Sequence, residues 1–220
     1  MCLARRYQAL RIQDHDAKSG PAVKGGGHDY AGNTVGEGGL LIDLGSMRTV
    51  SVDAQARTAV AEAGATWSDV DAATQPHGLA TTGGTVSTVG IAGFTLGGGQ
   101  GWLTRKYGLA ADNLLSAEVV TASGAVVRAS SDENPDLHWG LRGGGGNFGI
   151  VSRFEYRLHE LGRDVLAGQV IYPLERAHEL NAPALLRGVR PSGASGPQSE
   201  FALEGGVVAL STVKRAEDGS

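Results

Sequence analysis

Apolar residues recur along this chain in short runs, and the spacing within each run predicts an element. Residues 40–44 form an apolar run bounded by glycines, which predicts a buried strand. Residues 49–64 and 114–130 alternate between apolar and polar, so each predicts a hairpin, turning at 53–57 and 123–124 respectively. Further strands are predicted where "PAVKGGGH" enters a glycine loop and in "GIVSRFEYRLHEL".

Two segments combine helical spacing with terminal signals. "TWSDVDAATQPHG" predicts a helix capped by Thr66 or Ser68 and ended by Pro76 and Gly78. "DENPDLHWGLRG" predicts a second, short helix, and the first 20 residues carry a mixed helical pattern that ends in a turn. The long loop between the hairpins is punctuated by glycines and has room for one short helix. Short strands that alternate with short helices, with hairpins among them, predict an α+β fold.

The pattern changes near Arg163. Beyond it, "LAGQVIYPLERAHELNAPALL" predicts a strand followed by a helix. The last 30 residues are rich in Ser, Gly and Pro and show little periodicity, so we expect no regular structure there.

Composition narrows the class of protein. The chain has 220 residues, with 41% hydrophobic and 19% charged, which is typical of a globular protein with a real core. A net charge of −4 and the absence of a basic patch argue against nucleic-acid and membrane-surface partners. Cys2 is the only cysteine, so intrachain disulfides and cysteine metal sites are excluded. The N-terminus lacks the apolar core of a signal peptide, and we expect a cytoplasmic location.

Glycine is the outlier in composition. The chain has 35 glycines, about twice the usual share of roughly 7%. Successive backbone N–H groups without side chains form concavities that bind anions, and a pyrophosphate suits them. The alternative is that the glycines only make tight turns. Four clusters, one of them beside a histidine, favour the anion site; they are Gly25–Gly27, Gly83–Gly84, Gly97–Gly99 with Gly101, and Gly143–Gly146 with Gly149.

Other catalytic motifs are missing or out of context. Gly144, Gly146 and Gly149 match G-x-G-x-x-G, but the predicted helix precedes them and a strand follows, the reverse of a dinucleotide fingerprint. There is no P-loop, no pair of histidines at zinc-ligand spacing and no G-x-S-x-G elbow. Each histidine, taken alone, is expected to be a surface or packing residue.

Four long segments occur in an order that resembles a known family. They are "VKGGGHDYAGN", "GGLLIDLGSMRTVSVD", the segment from "TTGGTVSTVG" to "VVTASG", and "NPDLHWGLRGGGGNFGIVSRFEY". Together they cover about residues 20–175 and resemble the berberine bridge enzyme-like FAD-linked oxidoreductases. That family has the FAD-binding fold of the p-cresol methylhydroxylase (vanillyl-alcohol oxidase) type, made of two small α/β subdomains.

The resemblance implies a division of the chain and a set of cofactor contacts. Residues 1–162 would be the FAD-binding domain, shortened at its N-terminus, and 163–220 the start of a truncated substrate domain with a disordered tail. His28 would be joined to the 8α-methyl group of FAD, while nearby backbone N–H groups hold the pyrophosphate. The implied cofactor-binding residues are Lys24, Gly25, Gly26, Gly27, His28, Asp29, Gly32, Gly84, Thr85, Val86, Thr88, Val89, Gly90, Gly93 and Ile150.

Three positions depart from the family pattern or qualify it. Val86 stands where many relatives have a second flavin-linking cysteine, so a single link through His28 is expected. Lys24 replaces the usual arginine before the glycines, which keeps the charge but loses the fork geometry. Val89 matches the position that influences oxygen access in the family. No residue of this chain matches the family's catalytic base.

The resemblance implies an FAD-dependent oxidase that removes hydride from an alcohol, a sugar or a related C–H substrate. Its partners would be that small molecule and O₂ as a candidate acceptor, with no metal, nucleic acid or membrane. Two alternatives stay open. One is a non-catalytic flavin-binding fragment of such an enzyme, and the other is a flavin-independent module that binds a different anion.

Overall fold

The computed structural model describes residues 11–13, 19–32, 34, 39–162, 165–173, 200–204 and 207–215. The strand predicted after Arg163 is present, and the helix predicted to follow it lies outside these residues. In chain order the strands are β1 (Arg11–Gln13), β2 (Ser19–Lys24), β3 (Gly39–Asp43), β4 (Val50–Asp53), β5 (Thr58–Glu62), β6 (Leu79–Ala80), β7 (Leu114–Val120), β8 (Val126–Ser130), β9 (Ile150–Arg157), β10 (His159–Glu160), β11 (Val165–Pro173), β12 (Glu200–Glu204) and β13 (Val207–Arg215). The helices are α1 (Trp67–Thr74), α2 (Ile91–Leu96), α3 (Thr104–Tyr107) and α4 (Pro135–Leu141), with 3₁₀ turns at Gln75–His77 and Ala111–Asn113.

A five-stranded antiparallel sheet forms the centre of the fold. Its order is β4-β5-β9-β7-β8, and both predicted hairpins lie in it, β4–β5 on one edge and β7–β8 on the other. A smaller sheet, ordered β1-β3-β2, precedes it in the chain and pairs β2 with β3 in parallel. These sheets, with the short helices between them, confirm the α+β class.

The core lies between the five-stranded sheet and helices α1 and α2. Trp67, Phe154 and Tyr156 are its largest fully buried side chains. The Trp67 ring meets the Phe94 ring edge-on at 5.3 Å and the Tyr156 ring at 5.9 Å. The Tyr156 hydroxyl forms a 2.7 Å hydrogen bond with the hydroxyl of Thr95, which ties β9 to α2. Burial raises the pKa of Tyr156, because the ionised form would lose its hydration.

Helix α1 begins and ends where the sequence predicts. Thr66 is the residue before its first turn, and the Asp69 carboxylate accepts hydrogen bonds from the Thr66 backbone N–H at 2.7 Å and hydroxyl at 2.8 Å. Arg48 also donates to that carboxylate, at 2.8 Å. At the other end the chain passes through the 3₁₀ turn to Gly78, whose φ of +66° is in the left-handed region.

Two expectations for the chain ends differ from the structure. Residues 11–13, predicted within a helical pattern, form β1, because their backbone pairs with β3 at Leu41–Asp43. The C-terminal stretch, expected to be disordered, contains β12 and β13, and β13 pairs with both β11 and β12. The sequence "VVALSTV" within β13 is rich in β-branched residues, a strand signal that the surrounding Ser, Gly and Pro obscured.

No helix in the described part of the chain is long and apolar enough to span a membrane.

Candidate cofactor site

Two glycine-containing loops cross with their backbones in contact. The first loop, residues 25–32, follows β2, and the second, residues 84–90, leads into α2. A β-carbon on Gly26 would overlap the amide nitrogen of Gly90, and one on Gly90 would overlap that of Gly26. The approach therefore requires glycine at both positions, as expected where main chain must come very close to main chain.

The first loop is shaped by glycines with positive φ and held at its base by the core. Gly27 has a φ of +72° and Gly32 a φ of +75°. Before them, the Lys24 carbonyl accepts a 2.8 Å hydrogen bond from the Leu44 N–H, and a β-carbon on Gly25 would lie 3.2 Å from the Ala63 carbonyl oxygen. From Gly27 to Gly32 the loop is exposed.

The second loop is fastened to the start of α1. The Trp67 N–H donates to the Val89 carbonyl at 3.0 Å, and the Ser68 N–H donates to the Ser87 carbonyl at 2.9 Å. The Ile91 N–H donates to the Ala65 carbonyl at 3.0 Å, which fixes the entry into α2. With its backbone held in this way, the loop leaves the side chains of residues 85–88 exposed.

The aromatic core supports the second loop from below. A β-carbon on Gly84 would lie 3.2 Å from the Trp67 ring and 3.3 Å from the Phe94 ring, so Gly84 lets the loop rest directly on both rings. The Val89 side chain is half-buried and packs against the same core. Val86, by contrast, is 52% exposed. Glycine at 84 is therefore explained by packing.

The crossing brings His28 and Thr88 together. Nε2 of His28 lies 3.3 Å from Oγ1 of Thr88, and both residues are exposed. One is two residues after Gly26 and the other two residues before Gly90, so the backbone contact sets their separation. The predicted flavin-linking histidine thus has a defined partner on the opposite loop.

Lys24 has an ion pair that the sequence did not predict. Its Nζ lies 3.2 Å from Oδ2 of Asp43, at the end of β3. Parallel pairing sets Lys24 directly opposite Asp43, which explains the contact. The Lys24 charge therefore has a carboxylate partner at the base of the first loop.

Neither packing nor backbone conformation explains the glycine at position 93. It lies in α2, it is exposed, and a β-carbon there would meet nothing within 4 Å. Glycine inside a helix costs about 1 kcal/mol relative to alanine, so the fold alone would favour a side chain at this position. Gly93 therefore leaves an open stretch of helix backbone shortly after Gly90 in the chain.

The fourth glycine cluster contacts the end of the same helix. The Gly145 N–H donates to the Leu96 carbonyl at the end of α2, at 2.9 Å. Helix α4 precedes this cluster and β9 follows it. This order is the reverse of a dinucleotide-binding fingerprint, as the sequence predicted. Ile150, the first residue of β9, is half-buried against the core and has no described contact with the first two loops.

The third cluster serves packing. A β-carbon on Gly99 would lie 2.6 Å from the Phe94 ring, and one on Gly101 would overlap the Gly83 carbonyl oxygen. These glycines allow tight turns and close packing. This is the alternative to an anion site that the sequence left open. The anion site stays a prediction, and it would lie at the crossing of the first two loops.

Two other histidines have packing roles. The His159 ring stacks on Tyr107 at 4.0 Å, and its Nε2 lies 2.6 Å from Oδ1 of Asn113. Burial, together with the charges of Arg157 and Lys106, lowers the pKa of His159. Nε2 of His138 lies 3.1 Å from the Leu114 carbonyl oxygen. Among the described residues no group of three His, Cys, Asp or Glu side chains could hold a metal ion.

Comparison with known proteins gives the class to which this site belongs. Residues 16–130 match the family model described as an FAD binding domain, which is more than half of the chain. The chain therefore belongs to the FAD-binding domain family, and FAD is the cofactor of that family.

Individual relatives make the family more specific. The chain is 41% identical over 151 residues to (R)-6-hydroxynicotine oxidase of Paenarthrobacter nicotinovorans, covering 69% of this chain and 33% of that protein. The structure of xylooligosaccharide oxidase from Myceliophthora thermophila superposes with a TM-score of 0.81 and 30% identity, covering 90% of this chain and 43% of that one. A berberine bridge enzyme-like protein of Physcomitrella patens gives a TM-score of 0.80 at 30% identity, with coverages of 90% and 44%.

These matches place the chain among the berberine bridge enzyme-like flavoproteins, a family of oxidoreductases, and confirm the fold expected from the sequence. The chain spans about a third of the length of the curated relatives that it matches.

Sequence reasoning missed the residues that hold the loops. Asp43, Ala65 and Trp67 act through an ion pair, backbone hydrogen bonds and ring contacts. No motif marks them. Trp67 carried one usable signal, since a large aromatic residue at the first position of a predicted helix in a chain with only 5% aromatics is a good candidate for the core.

Proposed function

We propose that this chain is the FAD-binding part of an oxidase that removes hydride from an alcohol, a sugar or a related C–H substrate, with its flavin attached through His28 alone. The observation that carries the proposal is the crossing at Gly26 and Gly90, beside which the exposed Gly27 backbone and the exposed His28 lie next to each other. The oxidase names of two matched proteins support the reaction class, and one of them names an oligosaccharide.

Each group at the crossing has a role in this proposal. Backbone N–H groups of Gly25–Gly27 would hold the pyrophosphate, because only a backbone without side chains allows that approach. Gly93 would let the flavin come close to α2. Val86 offers no nucleophile, so His28 would form the single covalent link. Bound FAD supplies the hydride acceptor, and the protein supplies orientation and electrostatics.

Forming the link would be a two-electron oxidation, with dioxygen as the proposed final acceptor. A His28 ring nitrogen would form a C–N bond to the 8α-methyl carbon, while one methyl C–H bond and the ring N–H bond break. The two electrons and two protons released by that step would pass through the flavin to dioxygen, giving hydrogen peroxide. Lys24, already paired with Asp43, would stabilise the base of the loop.

The test of attachment is direct. We expect the chain expressed with FAD to keep yellow, fluorescent flavin after acid denaturation, with the added mass on the peptide that contains His28. His28→Ala should lose that signal, whereas His77→Ala, at an exposed histidine in the 3₁₀ turn, should keep it. Flavin that acid releases completely from the unsubstituted chain would contradict the covalent link.

A non-catalytic flavin-binding fragment is the second candidate. The share of each relative that the chain covers favours it, since about a third of a matched oxidase is represented. Oxygen consumption by the flavin-loaded chain, measured with a panel of alcohols, sugars and 6-hydroxynicotine, separates the two. Sustained turnover would contradict the fragment, and its absence across the panel in chains shown to carry flavin would favour it.

A further inference from the structure

The His28–Thr88 contact is specific for one nitrogen of the imidazole ring. Nε2 lies 3.3 Å from the Thr88 hydroxyl, while no described residue forms a hydrogen bond with Nδ1. Both residues are exposed, so burial does not account for the pairing. A histidine on an exposed glycine loop would otherwise rotate freely, because the glycines before it give the loop no stiffness of their own.

The chemistry of imidazole gives this contact a consequence. A neutral ring has one N–H nitrogen and one nitrogen with a free electron pair, and the hydrogen bond at one nitrogen decides the state of the other. If Nε2–H donates to the Thr88 hydroxyl, the free pair is on Nδ1. Nδ1 is then the nucleophile, and the ring is held so that this nitrogen faces away from Thr88.

We infer that Thr88 is a positioning residue that holds the His28 ring by Nε2 and so directs alkylation of His28 to Nδ1. The inference deepens the proposed function, since the alkylating group there would be the flavin 8α carbon. The orienting contact belongs to the fold, because the close approach of Gly26 and Gly90 brings the two loops together.

The test uses a small electrophile and the flavin-free chain. Bromoacetate alkylates a histidine nitrogen with loss of bromide, and the Nδ1- and Nε2-carboxymethyl products at His28 can be separated after proteolysis. An unrestrained histidine reacts mainly at the less hindered Nε2. We expect the Nδ1 product to predominate at His28 in the unsubstituted chain.

Three variants make the test specific. Thr88→Val removes the hydroxyl at nearly constant volume and should shift the product ratio toward Nε2 by roughly threefold to tenfold, the range expected for one lost hydrogen bond. Thr88→Ser keeps the hydroxyl and should restore the Nδ1 preference. Thr58→Val makes the same exchange at the first residue of β5, whose other end adjoins Ala63 and the first loop. This control should leave the ratio unchanged. Equal ratios in all four proteins would overturn the inference.

Flavin attachment provides the second measurement and separates this inference from the proposed function. Thr88→Val should slow covalent incorporation of FAD by a similar factor, and Thr88→Ser should not. A covalent flavin formed at the same rate in Thr88→Val contradicts the role of Thr88 and leaves the His28 link standing. A chain that forms no covalent flavin, yet shows the expected carboxymethylation ratios, contradicts the link and supports the orientation by Thr88.

Discussion

At the scale of single residues, two kinds of glycine near the crossing differ in what surrounds them. Gly26, Gly84, Gly90 and Gly99 have neighbours that leave no room for a β-carbon without displacement. Gly93 has open space, lies in a helix and is exposed. The first kind is required by the fold itself. The second is costly to the fold by about 1 kcal/mol, and in the proposed function it would give the flavin room to approach α2.

Gly93→Ala therefore separates stability from binding. We expect the flavin-free variant to be more stable to urea by about 0.5–1 kcal/mol, the usual gain for alanine over glycine in a helix. FAD binding should weaken by roughly tenfold, because the new methyl group occupies the space of the ligand. Urea unfolding and a flavin fluorescence titration measure the two effects. A stabilised variant with unchanged FAD affinity would show that no ligand approaches Gly93.

Gly26→Ala is expected to have the opposite effect on stability. The added methyl group would overlap Gly90 unless the two loops separate, at a cost of about 1–3 kcal/mol. The same separation removes the His28–Thr88 contact, so covalent flavin should be lost as well. Denaturant unfolding and acid-stable flavin content test both results. Unchanged values of both would mean that the crossing is not close in solution.

At the scale of elements, the start of helix α1 combines a cap with an ion pair. Burial raises the pKa of the Asp69 carboxyl, but the hydrogen bonds from Thr66 and the Arg48 guanidinium outweigh that effect and hold the pKa below its usual range. The folded state thus binds a proton at Asp69 less readily than the unfolded state does. The stabilisation is present above about pH 4 and is lost as the pH falls through the lowered pKa.

Asp69→Asn tests this stabilisation. We expect it to lower the free energy of unfolding at pH 7 by about 0.5–2 kcal/mol, as loss of a helix cap does. The difference from the unsubstituted chain should shrink as the pH drops below 4, because protonated Asp69 resembles asparagine. Asp71→Asn, in the same helix and without a described side-chain partner, should change stability by less than about 0.5 kcal/mol. A difference that is independent of pH would exclude the carboxylate as its source.

The elements of the central sheet could be predicted from the sequence, because local patterns specify them. Both hairpins, α1 and α4 begin and end within a few residues of the predicted positions. Strands β1, β12 and β13 were missed, since β1 and β12 depend on pairing with other strands and the local signal of β13 was obscured by its surroundings. The site divides in the same way. Gly25–Gly27 and His28 are recognisable as a motif, whereas the ion pair of Lys24 with Asp43 exists only through the parallel register of β2 and β3.

At the scale of the whole molecule, FAD and folding are thermodynamically linked. A ligand that binds only the folded state at 100 times its Kd adds about 2.7 kcal/mol of stability. For a chain of this size each kcal/mol raises the Tm by about 2–4 °C. We therefore expect thermal unfolding of His28→Ala to shift upward as free FAD is added, because its flavin would be held reversibly.

The covalently loaded chain should respond differently. Its Tm should already be raised and should not depend on added FAD, since the ligand cannot dissociate. Thermal scans at several FAD concentrations, with the loaded fraction measured by absorbance, compare the two proteins. A Tm that rises with FAD to the same extent in both would contradict permanent attachment.

The crossing also makes covalent attachment of flavin depend on folding. His28 and Thr88 are 60 positions apart, with α1 and the first hairpin between them, so their contact depends on the folded arrangement of these elements. A nascent or misfolded chain carries the same histidine but lacks the environment that would orient it. Covalent flavin would then be a permanent record of successful folding, one that persists in each molecule even if it later unfolds.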